Sequence, residues 1–266
     1  MNLSPNQIEF FNDNGYLLVK GVLSKKEAVM LREECHGLTD RLRHSHDTDA
    51  TWDGARAMVA ERTVIHHCHN VQFYSGALAA LLTDPRFTDI AADLIGPNVQ
   101  LHHNKMFIKP PEKGSPFPMH QDYPYFPHDK DTMTAAVFHF DDAPVEKGCL
   151  RVVAGSHKLG PLQHEGSYHL PLDRFPLDGD FQVNGPNSKL QILSSKLVES
   201  EAGDVLFFNY LTIHGSGVNT SSEARTTLLV QFRDPEDKPL DGQHKSRGQG
   251  MILRGIDPNP QPQFLE

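Results

Sequence analysis

The alternation of apolar and polar positions changes period near residue 98. Before that point the pattern is helical. Ser4-Pro5-Asn6-Gln7 combines a capping serine, a proline at the first helical position and a glutamine that completes a capping box, and Gly15 stops the helix it opens. After the apolar run 16–22, Ser24-Lys25-Lys26-Glu27 repeats the capping signature and predicts a longer helix through about Leu42. Asp84-Pro85 opens a further helix, with Ile90, Ala91, Leu94 and Ile95 on one face and Gly96 past its end. From Val99 onward the pattern alternates, notably over residues 106–108, 135–140, 150–153, 190–193, 204–210 and 226–232. Short strands separated by Gly, Pro, Asn and Asp clusters predict a mainly β fold, a jelly roll or other double-sheet arrangement, with flanking α-helices. The expected organisation is one domain over 1–266: a helical region over residues 1–98, a β core over 99–235 and an irregular tail over 236–266. Segments 44–62 and 161–189 lack periodicity and read as loops or lids.

Composition narrows the function classes. At 266 residues and 38% hydrophobic content the chain can bury a sizeable core. Its longest apolar stretches, such as residues 76–82, fall well short of the roughly 20 residues that cross a bilayer. The N-terminus has no basic-then-apolar signal pattern, so a cytoplasmic protein without a membrane anchor is expected. Cys35, Cys68 and Cys149 are scattered and contain no CxxC pair, which fits reduced thiols better than disulfides or a thiolate zinc site. A net charge of −9 argues against a nucleic-acid partner and toward a small-molecule substrate.

Three elements carry chemistry. His120-Gln121-Asp122 is an H-x-D pair, and residues i and i+2 of an extended segment point the same way, so one imidazole and one carboxylate can meet one ion. The pair alone is weak, because a chain with 16 histidines produces about one by chance. The second element is His214, just beyond the apolar run 205–208 and followed by Gly215-Ser216-Gly217. Two histidines and one carboxylate form the facial set that leaves positions open on iron(II). Arg225, eleven positions further on, can fork onto a carboxylate. By itself it reads first as an ordinary strand-end salt bridge.

These elements occur together with Lys109-Pro110-Pro111, the run from His120 to Pro127, Gly148-Cys149-Leu150 and Gly155-Ser156-His157-Lys158. With them, from residue 3 to Arg233, the chain resembles the phytanoyl-CoA dioxygenase family. That resemblance implies a double-stranded β-helix of cupin-like form, iron(II) held by His120, Asp122 and His214, and 2-oxoglutarate held by Arg225 with Ser216 and Lys109. It implies consumption of O2, hydroxylation of an aliphatic C–H bond of a metabolite, and release of succinate and CO2. Asp122 favours hydroxylation over halogenation, since related halogenases carry a small residue there. One departure is visible. The enzyme that names the family has a tryptophan in the strand before the Gly-Cys-Leu turn, where this chain has Val137 or Phe138, and the only tryptophan here is Trp52. A phytanoyl-CoA substrate therefore does not carry over, and acyl-CoA, amino-acid-like, organophosphonate and natural-product substrates all stay open.

Substrate contacts are expected from His103 and Lys105 on the preceding strand, from Phe117, Tyr123, Tyr125 and Phe126 beside the H-x-D pair, and from His157. Core or rim packing is the competing role for each aromatic. Two other function classes use portions of the same set. A cupin-like isomerase or hydrolase would need the three ligands but not Arg225, and a non-catalytic β-sandwich binding module would need neither.

Overall fold

Four helices start where the sequence places a cap. In a computed structural model describing residues 2–42, 50–51, 66–112, 114–162, 179–184, 190–240 and 245–259, helix α1 (Pro5–Asn14) carries a complete capping box between Ser4 and Gln7. It ends at Gly15, whose φ of 76° is left-handed. Helix α2 (Lys25–Leu42) is capped reciprocally by Ser24 and Glu27. The Asp84 carboxylate caps α4 (Pro85–Ile95) by accepting from the Arg86 N–H. Between them lies a helix that periodicity did not predict, α3 (Gly76–Leu82), whose N-cap is Ser75.

Thirteen strands form two antiparallel sheets among the described residues: β1 (Tyr16–Val19), β2 (Ala50–Thr51), β3 (His66–His69), β4 (Val99–Lys109), β5 (Phe117–His120), β6 (Thr134–His139), β7 (Leu150–Ala154), β8 (Gly179–Asn184), β9 (Leu190–Val198), β10 (Val205–Asn209), β11 (His214–Ser216), β12 (Arg225–Arg233) and β13 (Ile252–Arg254). The large sheet runs β1-β10-β6-β12-β4-β3-β2, with β13 also on β4, and the small one runs β5-β11-β7-β9-β8. The chain crosses between sheets at nearly every step from β4 to β12. That winding is the jelly roll, or double-stranded β-helix, the alternation predicted.

Several expectations need correction. The segment read as helical supplies β1, β2 and β3 to the large sheet. Residues 179–184 of the supposed lid 161–189 pair with β9, and β13 lies in the tail expected to be irregular. Within 44–62, residues 50–51 form β2. The remainder of 44–62, and all of 161–189 except 161–162 and 179–184, lie outside the described residues. The physical reason is shared. Such strands join by backbone hydrogen bonds to a sheet already formed, and a segment like His66-His67-Cys68-His69 needs no amphipathic alternation to do so.

The two faces of the large sheet have different tasks. Leu228, Val230 and Phe232 of β12 pack with Phe138, Phe207, Leu82 and Ile90 into the core under the helices. Phe87 of α4 meets Phe138 and Phe232 edge-on at 5.1 and 5.5 Å, and its full burial contributes about 1.5–3 kcal/mol. The other face looks toward the small sheet, where Ala135, Val137, Leu206 and Phe208 meet Leu150, Val152 and Val198. Strand β4 changes faces along its length. Gln231 pairs with His103 but Phe232 with Leu101, so His102 is an extra residue, a β-bulge. Before the bulge Val99 and Leu101 join the helix-side core, whereas after it Met106 and Ile108 do. His103, Lys105, Phe107 and Lys109 are thereby turned toward the small sheet. No helix among the described residues is long and apolar enough to cross a membrane.

Candidate metal centre

His120 closes β5 and His214 opens β11, and the two are direct cross-strand partners. Their rings stand 4.3 Å apart. Each imidazole is oriented from behind: His120 Nδ1 lies 2.8 Å from the Pro118 carbonyl and His214 Nδ1 lies 3.0 Å from the Thr212 carbonyl. With Nδ1–H donating to those carbonyls, both Nε2 atoms present lone pairs to the same point. Asp122 Oδ1 is 3.4 Å from His120 Nε2 and 3.6 Å from His214 Nε2. The three candidate ligand atoms all fall within 4.8 Å of one another, so one ion can touch all three. This donor set fits a divalent ion of the iron type.

Asp122 does not reach this point by the pleat of a strand. Its backbone is helical (φ −78°, ψ −22°), at the start of a 3-10 turn over Tyr123–Tyr125. The turn is held by the Asp122 and Tyr123 N–H groups donating to the Tyr210 carbonyl. Gln121 between the two ligands points the opposite way, donating to the carbonyls of Gly160 and Leu211 and accepting from the Leu162 N–H. The H-x-D residues thus converge through a turn rather than an extended segment.

A residue the sequence reading missed completes the arrangement. Gln231 of β12 donates from Nε2 to Asp122 Oδ2 at 2.6 Å, with both side chains buried. This leaves Oδ1 directed at the histidines. A signal was available: Gln231 lies an even number of residues from Arg225 on one strand, so both face the same side. Burial opposes ionisation of Asp122, but the imidazoles of His214 and His120 outweigh it and hold the carboxyl below its usual range. Burial pulls His214 down to about 4, so its ring is neutral at physiological pH.

One cavity of about 260 Å³ contains the cluster. Arg225 lines it, and a second buried cation, Lys109, stands beside that arginine. Arg225 and Lys109 are cross-strand partners on β12 and β4. Lys109 Nζ donates to Ser216 Oγ and to the Gly217 carbonyl, both at 2.7 Å. Arg225 donates to the Gly148 carbonyl, while its Nε–H is buried without a partner. Burial first, and the neighbouring Arg225 second, push the Lys109 pKa well down, and burial brings Arg225 down to about 10. No described carboxylate forms an ion pair with either. Desolvated cations with an unused donor make a receptor for an anion.

Glycine packing brings the walls together. A Cβ on Gly215 would lie 2.7 Å from the Phe117 carbonyl oxygen and 2.9 Å from Met119 Sδ, so any side chain there would force β11 from β5.

Of the expected substrate residues, His103, Lys105, Phe117, Tyr125 and Phe126 line the cavity. Two do not. Tyr123 packs on Tyr210, with centroids 5.5 Å apart, because the 3-10 turn sends it and Tyr125 in different directions. His157 sits in a second such turn, Ser156–Leu159, and its Nε2 lies 3.0 Å from the Asn12 carbonyl at the end of α1. A more open cleft of about 1160 Å³, reached past Phe126 and His102, holds none of the three ligands.

Comparison with known proteins bears on this geometry. The family described as phytanoyl-CoA dioxygenase (PhyH) matches residues 11–227. The peroxisomal phytanoyl-CoA dioxygenase of Bos taurus is 29% identical over 248 residues, covering 87% of this chain and 69% of its own. A probable alpha-ketoglutarate-dependent hypophosphite dioxygenase of Stutzerimonas stutzeri is 24% identical over 234 residues, covering 86% and 78%. The crystal structure of the non-heme alpha ketoglutarate dependent carbocyclase SnoK, from nogalamycin biosynthesis, superposes with a TM-score of 0.69 at 24% identity, covering 94% of each chain, and shares the fold. With the family match spanning most of its length and a two-histidine, one-carboxylate cluster in its jelly roll, the chain belongs to the phytanoyl-CoA dioxygenase family.

Proposed function

We propose that this iron(II)- and 2-oxoglutarate-dependent dioxygenase holds its metal through His120, Asp122 and His214, anchors the distal carboxylate of 2-oxoglutarate on Arg225, Lys109 and Ser216, and hydroxylates a small molecule seated in the same cavity. The observation that carries the assignment is an open three-ligand cluster in one 260 Å³ space with the buried Arg225, which Lys109 accompanies as its cross-strand partner. An isomerase or hydrolase would have no use for the cation pair, and a binding module none for the ligand set.

The chain's own contribution is positioning. The Pro118 and Thr212 carbonyls fix the imidazoles, Gln231 fixes the carboxylate, and Arg225 offers a free Nε–H to the cosubstrate. Phe107, Phe117, Leu229 and Phe208 line the cavity and keep water from the reacting groups. When bound, iron(II) with 2-oxoglutarate and O2 supplies the oxidising power that turns C–H into C–OH, with succinate and CO2 as coproducts.

The net charge of −9 supports a small-molecule rather than a nucleic-acid partner. Three buried cysteines, all outside disulfides, support a reducing, cytoplasmic setting. Cavity residues drawn from His69 to Gln231 support a single catalytic domain. The test is calorimetric titration of 2-oxoglutarate into iron(II)-loaded protein without O2. Binding is expected, with Arg225→Ala weakening it at least about thirtyfold. Unchanged binding in Arg225→Ala, or none in the wild type, refutes the assignment.

A further inference from the structure

The cavity has a second cationic position that 2-oxoglutarate does not use. Downstream of the bulge at His102, β4 presents His103, Lys105 and Phe107 to the cavity in alternate positions, with Lys109 next in the same alternation. Lys105 and Lys109 are four residues apart on one strand, about 13 Å at the usual rise. Aromatic rings lie between them. Lys105 Nζ stands over Phe107 at 4.7 Å, Lys109 Nζ over Phe117 at 5.4 Å, and the two rings meet edge-on at 5.3 Å. A five-carbon diacid with one end on the metal and the other on Arg225 and Lys109 has no carboxylate left for Lys105.

The contact the fold gives this ammonium is the Phe107 ring. Lys105 pairs by backbone with Leu229 on one side and His69 on the other. Among the described residues its side chain has no hydrogen bond and no carboxylate partner. Its pKa is drawn down to about 8 by burial alone, so it stays largely charged at neutral pH. A cation held in an aromatic cavity without an acid is a cost that a bound anion relieves. Its position suits a substrate. Lys105 lines the same cavity as His120, Asp122 and His214, so a group held on it shares that space with the ligand cluster.

We propose that Lys105 receives an oxyanion of the substrate, a carboxylate or phosphonate-type head group, so that the enzyme acts on a compact anionic metabolite. This rests on the reading of the cavity given above. A volume of about 260 Å³, below the roughly 300–1,000 Å³ of drug-sized sites, favours a small molecule.

The experiment uses the full chain loaded with iron(II) without O2 and saturated with 2-oxoglutarate, which occupies the Arg225 end. Acetate, methylphosphonate and the neutral control acetamide are then titrated calorimetrically. At least one anion is expected to bind and acetamide is not; the preferred anion identifies the head group. Lys105→Met is expected to weaken anion binding about tenfold or more, with Lys105→Arg retaining most of it and 2-oxoglutarate affinity changing less than about twofold in both. Thermal melts check that both variants fold. Anion binding equal to wild type in Lys105→Met, loss of 2-oxoglutarate binding in its place, or acetamide binding as well as the anions would each overturn the proposal. A wild type that fails to bind 2-oxoglutarate in the first titration would overturn the dioxygenase reading beneath it.

Discussion

Replacing Gln231 by methionine keeps the length of the side chain and removes the amide that holds Asp122. The hydrogen bond it deletes is 2.6 Å long, buried at both ends, and made to a carboxylate. Such a bond is worth about 1.5–3 kcal/mol, or roughly ten- to a hundredfold in affinity at 1.4 kcal/mol per decade. Loss of partners behind a metal ligand costs a similar factor. The loss should appear in metal affinity, because Oδ2 without its donor lets the carboxylate turn and Oδ1 no longer faces the two Nε2 atoms. The assay is iron(II) titration without O2 or 2-oxoglutarate, against a chromophoric chelator, with Asp122→Ala as the reference for a lost ligand. Gln231→Met should bind about ten- to a hundredfold more weakly than wild type, and its melting temperature without metal should also fall. Metal affinity within about twofold of wild type, alongside a clear loss in Asp122→Ala, would show that Gln231 only fills space.

Lys109→Met should weaken 2-oxoglutarate binding about tenfold or more while leaving iron(II) affinity near wild type, measured by the same two titrations. Adding a divalent metal at about 100 times its Kd should stabilise the protein by about 2.7 kcal/mol in denaturant melts, and His214→Ala or Asp122→Ala should abolish the gain. Gly215→Ala should reduce metal affinity by spreading β5 and β11, since its Cβ has backbone rather than a flexible side chain at 2.7 Å. His139 gives a pH dependence. Its ring is buried with neither nitrogen hydrogen-bonded, and burial, helped by Arg225, holds its pKa at about 3 against about 6.5 in the unfolded chain. Between these values only the unfolded chain binds the proton, so its contribution is complete above about pH 6.5 and is lost as pH falls toward 3. Urea melts at pH 7.5 and 5 should show a smaller acid loss in His139→Leu than in wild type; equal losses would remove His139 from the account.

Three of the four helices were legible because their ends are written locally, at Ser4, Ser24 and Asp84, whose side chains cap the residues just after them. The strands of the β core were legible because Leu228, Val230 and Phe232 alternate with positions that face the cavity. Pairing was not. That β1 lies on β10, or β3 on β4, depends on contacts between distant segments that no local pattern encodes. The same divide runs through the candidate site. His120, Asp122, His214 and Arg225 stand out by type and order, whereas Gln231 is an ordinary residue until its register against His103 brings it to Asp122. Tyr123 and His157 were misplaced because both sit in 3-10 turns, where neighbouring residues do not share a direction as alternate strand positions do.

The extra residue at His102 makes the chemistry of β4 a matter of counting. Everything downstream is read in one of two frames, and the inserted residue selects the frame that turns Lys105 and Lys109 toward the small sheet and sets Met106 and Ile108 beneath the helices. Deleting it would exchange the two sets wholesale, burying ammonium groups in the aliphatic layer and lining the cavity with thioether and hydrocarbon. On this strand, length is therefore a constraint in its own right, separate from the identity of any one residue.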